Sequence, residues 1–362
     1  MNFSQIDSPC LIVYPALVEK NIAEMINMAG SVTRLRPHIK THKTAEGIKM
    51  MQAQGINKFK CATIAEAELL AMNKAKDVLL AHQPVGVKIQ RLIKLIITYP
   101  QTIFSTIVDN IEQAQLINKA FAIEGFNLAV YIDINVGMNR TGIHPGNEAF
   151  QLYEYLQTAS HLIFKGLHVY DGQHRQSDPI EREQACEAAF EKVYTWIKMI
   201  EEKGYNRPSI IAGGSPSFSI HAKKLDRECS PGTNIFWDHG YATICPEQHF
   251  TPAVHLLTRV ISKPAANRIC LDLGHKAVAS ENEITKRVYF PNHTDLKPVG
   301  QSEEHLVMET ENADQYKVGD ILIGIPYHIC PTVALHETLI AIENDQIIGE
   351  WQVVARKRKI TI

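Results

Sequence analysis

At 362 residues and 40.7 kDa, the chain exceeds the size at which a single hydrophobic core usually stops growing, so we expect two domains. A formal charge of -2 and an isoelectric point near 6.8 give no electrostatic basis for binding nucleic acid. The same balance argues against an anionic membrane surface, and no window approaches eighteen consecutive apolar residues.

The cysteines indicate the compartment. They are odd in number and scattered without a CxxC pair, as Cys10, Cys61, Cys186, Cys229, Cys245, Cys270 and Cys330. This usage is typical of a reducing compartment rather than of a disulfide scaffold. The opening MNFSQIDSPCLIVYP lacks the basic region and long apolar core of a signal peptide, so we expect a cytoplasmic protein.

From residue 34 to about residue 240, extended runs alternate with amphipathic helical runs. The eight extended runs are RLRPHIK, KFKCAT, DVLLAH, TIFSTIVD, NLAVYIDIN, LIFKGLHVYDG, SIIAGGS and ECSPGTNIFW. Strands that alternate with helices form βαβ units and a parallel sheet. Eight units predict a TIM (β/α)8 barrel over residues 14–240, with a doubly wound open sheet as the alternative.

The pattern changes at about residue 241. The runs become short, rich in Val, Ile and Leu, and broken by Gly, Pro, Asn and Asp, with no convincing helix among them. We therefore expect a separate all-β domain over residues 241–362, which residues 1–13 join.

The segment RPHIKTHKT, at residues 36–44, is the most unusual in the barrel. On an extended strand Arg36, His38, Lys40 and His42 would share one face, and four such side chains are not buried unless an anion meets them. The helical run that follows makes this a strand-to-helix junction, which is where α/β enzymes place their active sites.

Other polar residues fall where predicted strands end, and these ends meet at one rim of a barrel. Arg140 follows strand five, while His168 and Tyr170 are two residues apart at the end of strand six. Strand seven ends in GGSPS, with Gly214 and Ser215, and strand eight begins with SPGT, with Gly232 and Thr233.

Glycine-rich turns after strands seven and eight are a recurrent phosphate site, because exposed backbone N–H groups approach the anion. A phosphate site across the barrel mouth from the strand-end lysine suggests pyridoxal 5'-phosphate, whose aldehyde requires an amine.

RPHIKTHK, DINVGMNRTGI, HVYDGQHR and PYHICPTVALH resemble the D-threonine aldolase and D-serine dehydratase family, over essentially the whole chain. The resemblance implies an alanine racemase-type barrel followed by a β-domain. It assigns Lys40 as the Schiff-base lysine, Arg140 to the coenzyme's phenolic oxygen or the substrate carboxylate, and Tyr170 and His168 to the coenzyme ring. It places Gly214, Ser215, Gly232 and Thr233 around the phosphate, and it implies a homodimer.

His328 and Cys330 form an HxC pair. Two residues apart on a strand, their side chains would point the same way and could bind one divalent ion, with zinc favoured by the sulfur. The resemblance implies a catalytic metal, zinc or manganese, at this His and at the Cys or Asp two residues on.

The resemblance implies a lyase that acts on D-3-hydroxy amino acids, with cleavage of D-threonine to glycine and acetaldehyde as the expected reaction. The same residues would serve dehydration, as in D-serine or D-threo-3-hydroxyaspartate dehydratases, so the bond that breaks stays open. An amino-acid racemase and a non-catalytic coenzyme carrier are further alternatives. The racemase has no use for the HxC pair, and the carrier would lack the β-domain.

Overall fold

The computed structural model describes residues 3–362 and divides them into two compact units. The barrel unit comprises Met25–Lys40, Ile48–Gly232 and Lys357–Ile362. The β unit comprises the segment ending at Glu24 together with Thr41–Gly47 and Thr233–Arg356. The chain therefore passes between the units directly after Lys40 and directly after Gly232.

The barrel unit contains seven parallel strands in sequence order. They are β2 (Lys58–Cys61), β3 (Asp77–Leu80), β4 (Ile103–Val108), β5 (Leu128–Ile134), β6 (Leu162–Val169), β7 (Ser209–Ala212) and β8 (Arg227–Cys229). Leu79, Ile107, Tyr131 and Ile211, from four of these strands, form one buried cluster. The expectation that SPGT begins strand eight is wrong, because β8 ends at Cys229 and SPGT follows it.

Residues 35–39 close this sheet into an eight-stranded barrel, although they form no regular strand. Leu35 bridges to Cys229 of β8, and His38 bridges to Lys60 of β2, both in parallel. Pro37 has no N–H to donate, but its carbonyl accepts the Lys60 N–H at 2.9 Å. The predicted TIM-type barrel is confirmed, with its first strand reduced to isolated bridges.

Helices connect the strands as the alternating pattern predicts. They are α1 (Pro15–Ala29), α2 (Ala45–Ala53), α3 (Ile64–Met72), α4 (Val87–Thr98), α5 (Ile111–Glu124), α6 (Asn147–Thr158), α7 (Pro179–Glu202) and α8 (Phe218–His221). Asp178 begins α7 by accepting hydrogen bonds from the N–H groups of Ile180 and Glu181, as an N-cap carboxylate does. Among residues 3–362, no helix combines the length and apolar character needed to cross a membrane.

The β unit is built on a nine-stranded mixed sheet. Its strands are β1 (Cys10–Val13), β9 (Val254–Ala265), β10 (Arg268–Leu271), β11 (Val288–Tyr289), β12 (Lys297–Gln301), β13 (Leu306–Glu309), β14 (Ile321–Pro326), β15 (Thr338–Glu343) and β16 (Gln346–Gln352). Within it, β1 lies between β9 and β15. Ile6, Ile12, Leu257 and Ile342 pack together as part of its core.

Two short helices, α9 (His239–Ile244) and α10 (Ile329–Leu335), also belong to the β unit. The expectation that this part of the chain contains no helix is therefore wrong. His328 is the N-cap residue of α10, and Cys330 lies in its first turn.

Candidate active site

Lys40 lies directly after the first barrel segment, beside the carboxyl end of β2. A turn begins here, and the backbone N–H of Lys40 donates to Nδ1 of His38 at 3.1 Å. The Lys40 side chain is half-buried, and its amino group donates no hydrogen bond to the residues that the structure describes. The amine is therefore available to a ligand.

The turn separates the four basic residues that an extended strand would place on one face. Arg36 is buried and donates to both carboxylate oxygens of Asp77, at 2.6 and 2.9 Å, and to Glu228 at 2.9 Å. His42 is also buried, and burial lowers its pKa to about 3, so it stays neutral. The expectation that these four side chains share one face of an extended strand is therefore wrong.

Three cations surround the ring of Tyr170, which follows β6. The Nζ atoms of Lys40 and Lys60 lie 5.9 and 5.8 Å from the ring centroid, and Cζ of Arg140 lies 4.9 Å from it. These distances are within or close to the range of cation–π interactions. Lys60 was not predicted as a site residue.

The loop after β5 presents Arg140. Oδ1 of Asn135 accepts the N–H groups of Gly137 and Asn139, at 3.0 and 3.2 Å, which folds the loop back on itself. Asn139 has a φ of 51°, a left-handed conformation that asparagine tolerates better than most residues. The exposed Arg140 side chain follows directly.

A buried chain of hydrogen bonds joins three strands of the barrel. Oδ1 of Asp133, at the end of β5, lies 2.7 Å from Nδ1 of His168 on β6, and Nε2 of His168 lies 3.4 Å from Nζ of Lys60 on β2. Nζ of Lys60 also donates to the Ser230 hydroxyl at 2.5 Å. Burial lowers the pKa of His168, although its bond to Asp133 opposes this.

The turns after β7 and β8 approach each other. The Gly232 N–H donates to Oγ of Ser215 at 3.2 Å, and Gly213 has a φ of 70°. A Cβ at Gly214 would lie 2.8 Å from Cε2 of Tyr170, so a side chain there would displace the ring. Glycine at this position is required by that close approach.

The Asp171 carboxylate holds the segment that follows β7 through hydrogen bonds. It accepts the Ser217 hydroxyl and Nε2 of His221, each at 2.6 Å, and a hydrogen bond from Cys186. Burial raises its pKa, but these donors outweigh burial and bring it to about 2. The carboxylate therefore remains charged and anchors the glycine-rich turn.

Asp171, Cys186 and His221 also bring one oxygen, one sulfur and one nitrogen atom within 4.8 Å of one another, an arrangement that could hold a metal ion. However, the Arg227 guanidinium donates to Nδ1 of His221. A cation beside this buried guanidinium would be repelled, so the hydrogen-bonded network is the better account of the cluster.

In the β unit, His328 and Cys330 lie at the junction between β14 and α10. The expectation that they lie on a strand is wrong, yet their side chains are hydrogen-bonded to each other. Nδ1 of His328 lies 2.5 Å from Oε1 of Glu281. Sγ of Cys330 lies 3.0 Å from the Thr41 hydroxyl and 3.4 Å from the Thr233 hydroxyl.

Burial alone would lower the pKa of His328, but hydrogen bonds to Cys330 and Glu281, together with the charges of Cys330 and Asp238, raise it to about 9. The donor set suits a divalent metal, since imidazole and thiolate are zinc ligands. A carboxylate on the other ring nitrogen is the usual partner of a metal-binding histidine. Glu281 was not predicted, because it lies 47 residues from His328.

The barrel residues fit pyridoxal 5'-phosphate on their chemistry. A half-buried amine that donates no hydrogen bond, two further cations beside an aromatic ring and a glycine turn closed to side chains suit a planar anionic aldehyde. The fold and these residues define the class of pyridoxal-phosphate enzymes built on a TIM-type barrel.

The chain belongs to the family described as alanine racemase, N-terminal domain, whose model matches residues 15–239. A model described as putative serine dehydratase domain matches residues 253–342. Membership in the first family implies pyridoxal phosphate as the coenzyme.

Similar proteins span the chain from end to end. A 3-hydroxy-D-aspartate aldolase of Paracoccus denitrificans is 27% identical, covering 98% of this chain and 94% of its own. A D-serine dehydratase of Dictyostelium discoideum is 24% identical, covering 97% of each. The crystal structure of D-threonine aldolase from Filomicrobium marinum superposes with a TM-score of 0.90 and 27% identity, over 98% of this chain and 96% of that one. These relatives are lyases.

Proposed function

We propose that the protein is a pyridoxal-phosphate- and metal-dependent lyase of D-3-hydroxy amino acids, with cleavage of D-threonine to glycine and acetaldehyde as its main reaction. The observation that carries this proposal is the His328–Cys330 pair with Glu281 behind it, because a racemase on the same barrel needs no such pair. The names of the relatives, two aldolases and a dehydratase, support the same substrate class.

Pyridoxal phosphate, when bound, supplies an aldehyde for the amine and a ring that withdraws electrons from the substrate's α-carbon. Lys40 holds it covalently, while Tyr170 and Arg140 orient it. We assign its phosphate to Gly214, Ser215 and Gly232, and to the hydroxyl of Thr233, which follows Gly232 in sequence. His168, neutral and held by Asp133, orients Lys60.

A divalent ion, when bound, supplies Lewis acidity toward the substrate hydroxyl. His328 offers Nε2 to it, since Nδ1 is engaged by Glu281, and Cys330 offers its sulfur. The thiolate favours zinc over manganese, which prefers oxygen ligands.

Dehydration is the second candidate, because residues 253–342 match the putative serine dehydratase domain. It requires Lys40 to take the α-proton and the hydroxyl to leave, giving a 2-oxo acid and ammonia after hydrolysis. Aldol cleavage instead requires loss of the hydroxyl proton and rupture of the Cα–Cβ bond.

The metal assignment is tested by chelation and by His328→Ala. We expect each to reduce D-threonine consumption at least 100-fold while the visible absorbance of bound coenzyme remains. Chelation removes the metal and His328→Ala removes one of its ligands, whereas both leave Lys40 in place. Adding Zn or Mn should restore the chelated wild type but not the variant. Full activity in the presence of chelator and in His328→Ala would remove the metal from the proposal. His305→Ala, on an exposed loop of the β unit, is the matched control.

We also propose that two copies pair as a homodimer in the cytoplasm. The cysteine usage supports the compartment, and among the described residues no disulfide joins any of the seven cysteines. Light scattering should give twice the 40.7 kDa chain mass, and a monomer mass would contradict the pairing.

A further inference from the structure

Lys60 is a buried charge for which the proposed function names no ligand. Its side chain is only 3% exposed and extends from β2 inside the barrel mouth. Among the residues that the structure describes, no carboxylate forms an ion pair with its amino group. A buried ammonium without a counter-charge is costly, so such groups are normally paired.

The partners of Lys60 are neutral and fix its orientation. A carboxylate only accepts hydrogen bonds, so Nδ1 of His168 carries the proton that Asp133 accepts, and Nε2 of His168 is an acceptor. Lys60 therefore donates one N–H to Nε2 and one to the Ser230 hydroxyl. An ammonium has three N–H groups, which leaves one for a ligand.

The charges that face Lys60 come from several elements. Lys40, after the first barrel segment, and Arg36 within it repel the ammonium. Asp133 on β5 and Asp171 after β6 attract it. The first carboxylate is already engaged by His168 and the second by His221, and the Tyr170 ring lies 5.8 Å away.

We propose that Lys60, held by Ser230 and His168, is the cationic part of an anion subsite at the barrel mouth. Its ligand is an anionic oxygen, which belongs either to the coenzyme or to the carboxylate of the amino-acid substrate. The assignment of these two sources rests on the proposed function. The subsite itself rests on the burial of the Lys60 ammonium and on its two hydrogen bonds, to His168 and to Ser230.

The charge state of Lys60 responds to such a ligand. Burial, reinforced by repulsion from Lys40, lowers its pKa to about 7 in the ligand-free protein. A bound anion stabilises the ammonium and raises that pKa, so binding at pH 8 takes up protons from solution. Acetate carries no proton at this pH, and the protons must therefore go to the protein.

The test uses coenzyme-free protein at pH 8 and two probes, acetate and pyridoxal phosphate. Calorimetry of acetate binding in two buffers of different ionisation enthalpy measures proton uptake, which we expect in wild type and not in Lys60→Met. Lys58→Met is the matched control, since Lys58 shares the strand and face of Lys60 but is already paired with Glu228 at 2.5 Å. If Lys60→Met does not fold, as judged by circular dichroism, Lys60→Gln replaces it.

The affinities for the two probes then identify the source of the anion. A dissociation constant for pyridoxal phosphate raised roughly 10- to 100-fold in Lys60→Met alone assigns the oxygen to the coenzyme. Weakened acetate binding with unchanged coenzyme affinity assigns it to a substrate carboxylate. Unchanged affinity for both probes, or proton uptake that persists in Lys60→Met, would overturn the subsite. Failure of wild type to bind pyridoxal phosphate would instead overturn the proposed function, and the acetate result would still decide the subsite.

Discussion

At the scale of single residues, Lys40 and Lys60 share one aromatic ring but differ in what holds their amino groups. Lys60 donates to Ser230 and His168, whereas the Lys40 amine donates to no described residue. The half-buried and uncommitted amine is the better nucleophile toward an aldehyde, since it loses no hydrogen bond on reacting.

Replacement of Lys40 by Ala should therefore abolish the visible absorbance of bound coenzyme and reduce activity by at least 1000-fold. Absorption spectra of the purified variant, reconstituted with pyridoxal phosphate, measure this. Lys49→Ala, at an exposed position of α2, should keep both the spectrum and the activity. A yellow protein after Lys40→Ala would transfer the assignment to another lysine.

Lys60 should make the stability of the coenzyme-free protein depend on pH. Its pKa is about 7 in the folded chain and near 10.5 when unfolded, so between these values the unfolded chain binds more protons. The free energy of unfolding should rise with pH across this window. Below pH 7 Lys60 is charged in the folded chain, so the full cost of burying its charge is present. Urea unfolding should therefore show Lys60→Met stabilised relative to wild type more at pH 6.5 than at pH 9.5. A difference that does not change with pH would contradict the buried charge.

At the scale of elements, buried side-chain contacts add to the backbone hydrogen bonds that hold the first barrel segment between β8 and β2. Pro37 donates no backbone hydrogen bond, and Arg36 connects the segment to β3 through Asp77 and to β8 through Glu228. Arg36 itself is 1% exposed. Its guanidinium thus helps to close the barrel next to Lys40.

Arg36→Met should destabilise the fold by about 3 kcal/mol, because it leaves two carboxylates without their buried partner. Arg207→Ala removes an exposed pair with Glu201 and should cost less than about 1 kcal/mol. Denaturant unfolding of both variants measures the contrast. Equal losses would mean that the buried pair does not hold the barrel closed.

Elements also show where sequence reasoning succeeds. Strand–helix alternation, with the rule that barrel strands end at one rim, predicts a common location for Lys40, Arg140, His168 and Tyr170. All four lie in the barrel unit. Lys60 is not among the predicted site residues because it lies within β2 and not after its end, although a lysine on the strand KFKC is itself a signal. The spacing of His328 and Cys330 predicts a strand, whereas the proline after Cys330 is typical of the first turn of a helix.

At the scale of the whole molecule, the limit of sequence reasoning is the distance between partners along the chain. Glu281 supports His328 from 47 residues away, and Asp133 orients His168 from 35 residues away. No local pattern specifies such pairs, because they depend on how strands are ordered in a sheet. The expectation of two domains comes from the chain length and from the change of pattern near residue 241, since alternating and non-alternating segments bury their apolar faces differently.

Identification of the products from D-threonine, using protein supplied with pyridoxal phosphate and either Zn or Mn, distinguishes the candidate reactions. We expect stoichiometric glycine and acetaldehyde, with no product when L-threonine is supplied. A 2-oxo acid with ammonia would instead establish the dehydratase. Recovery of threonine with altered stereochemistry at Cα would contradict the lyase account and establish a racemase.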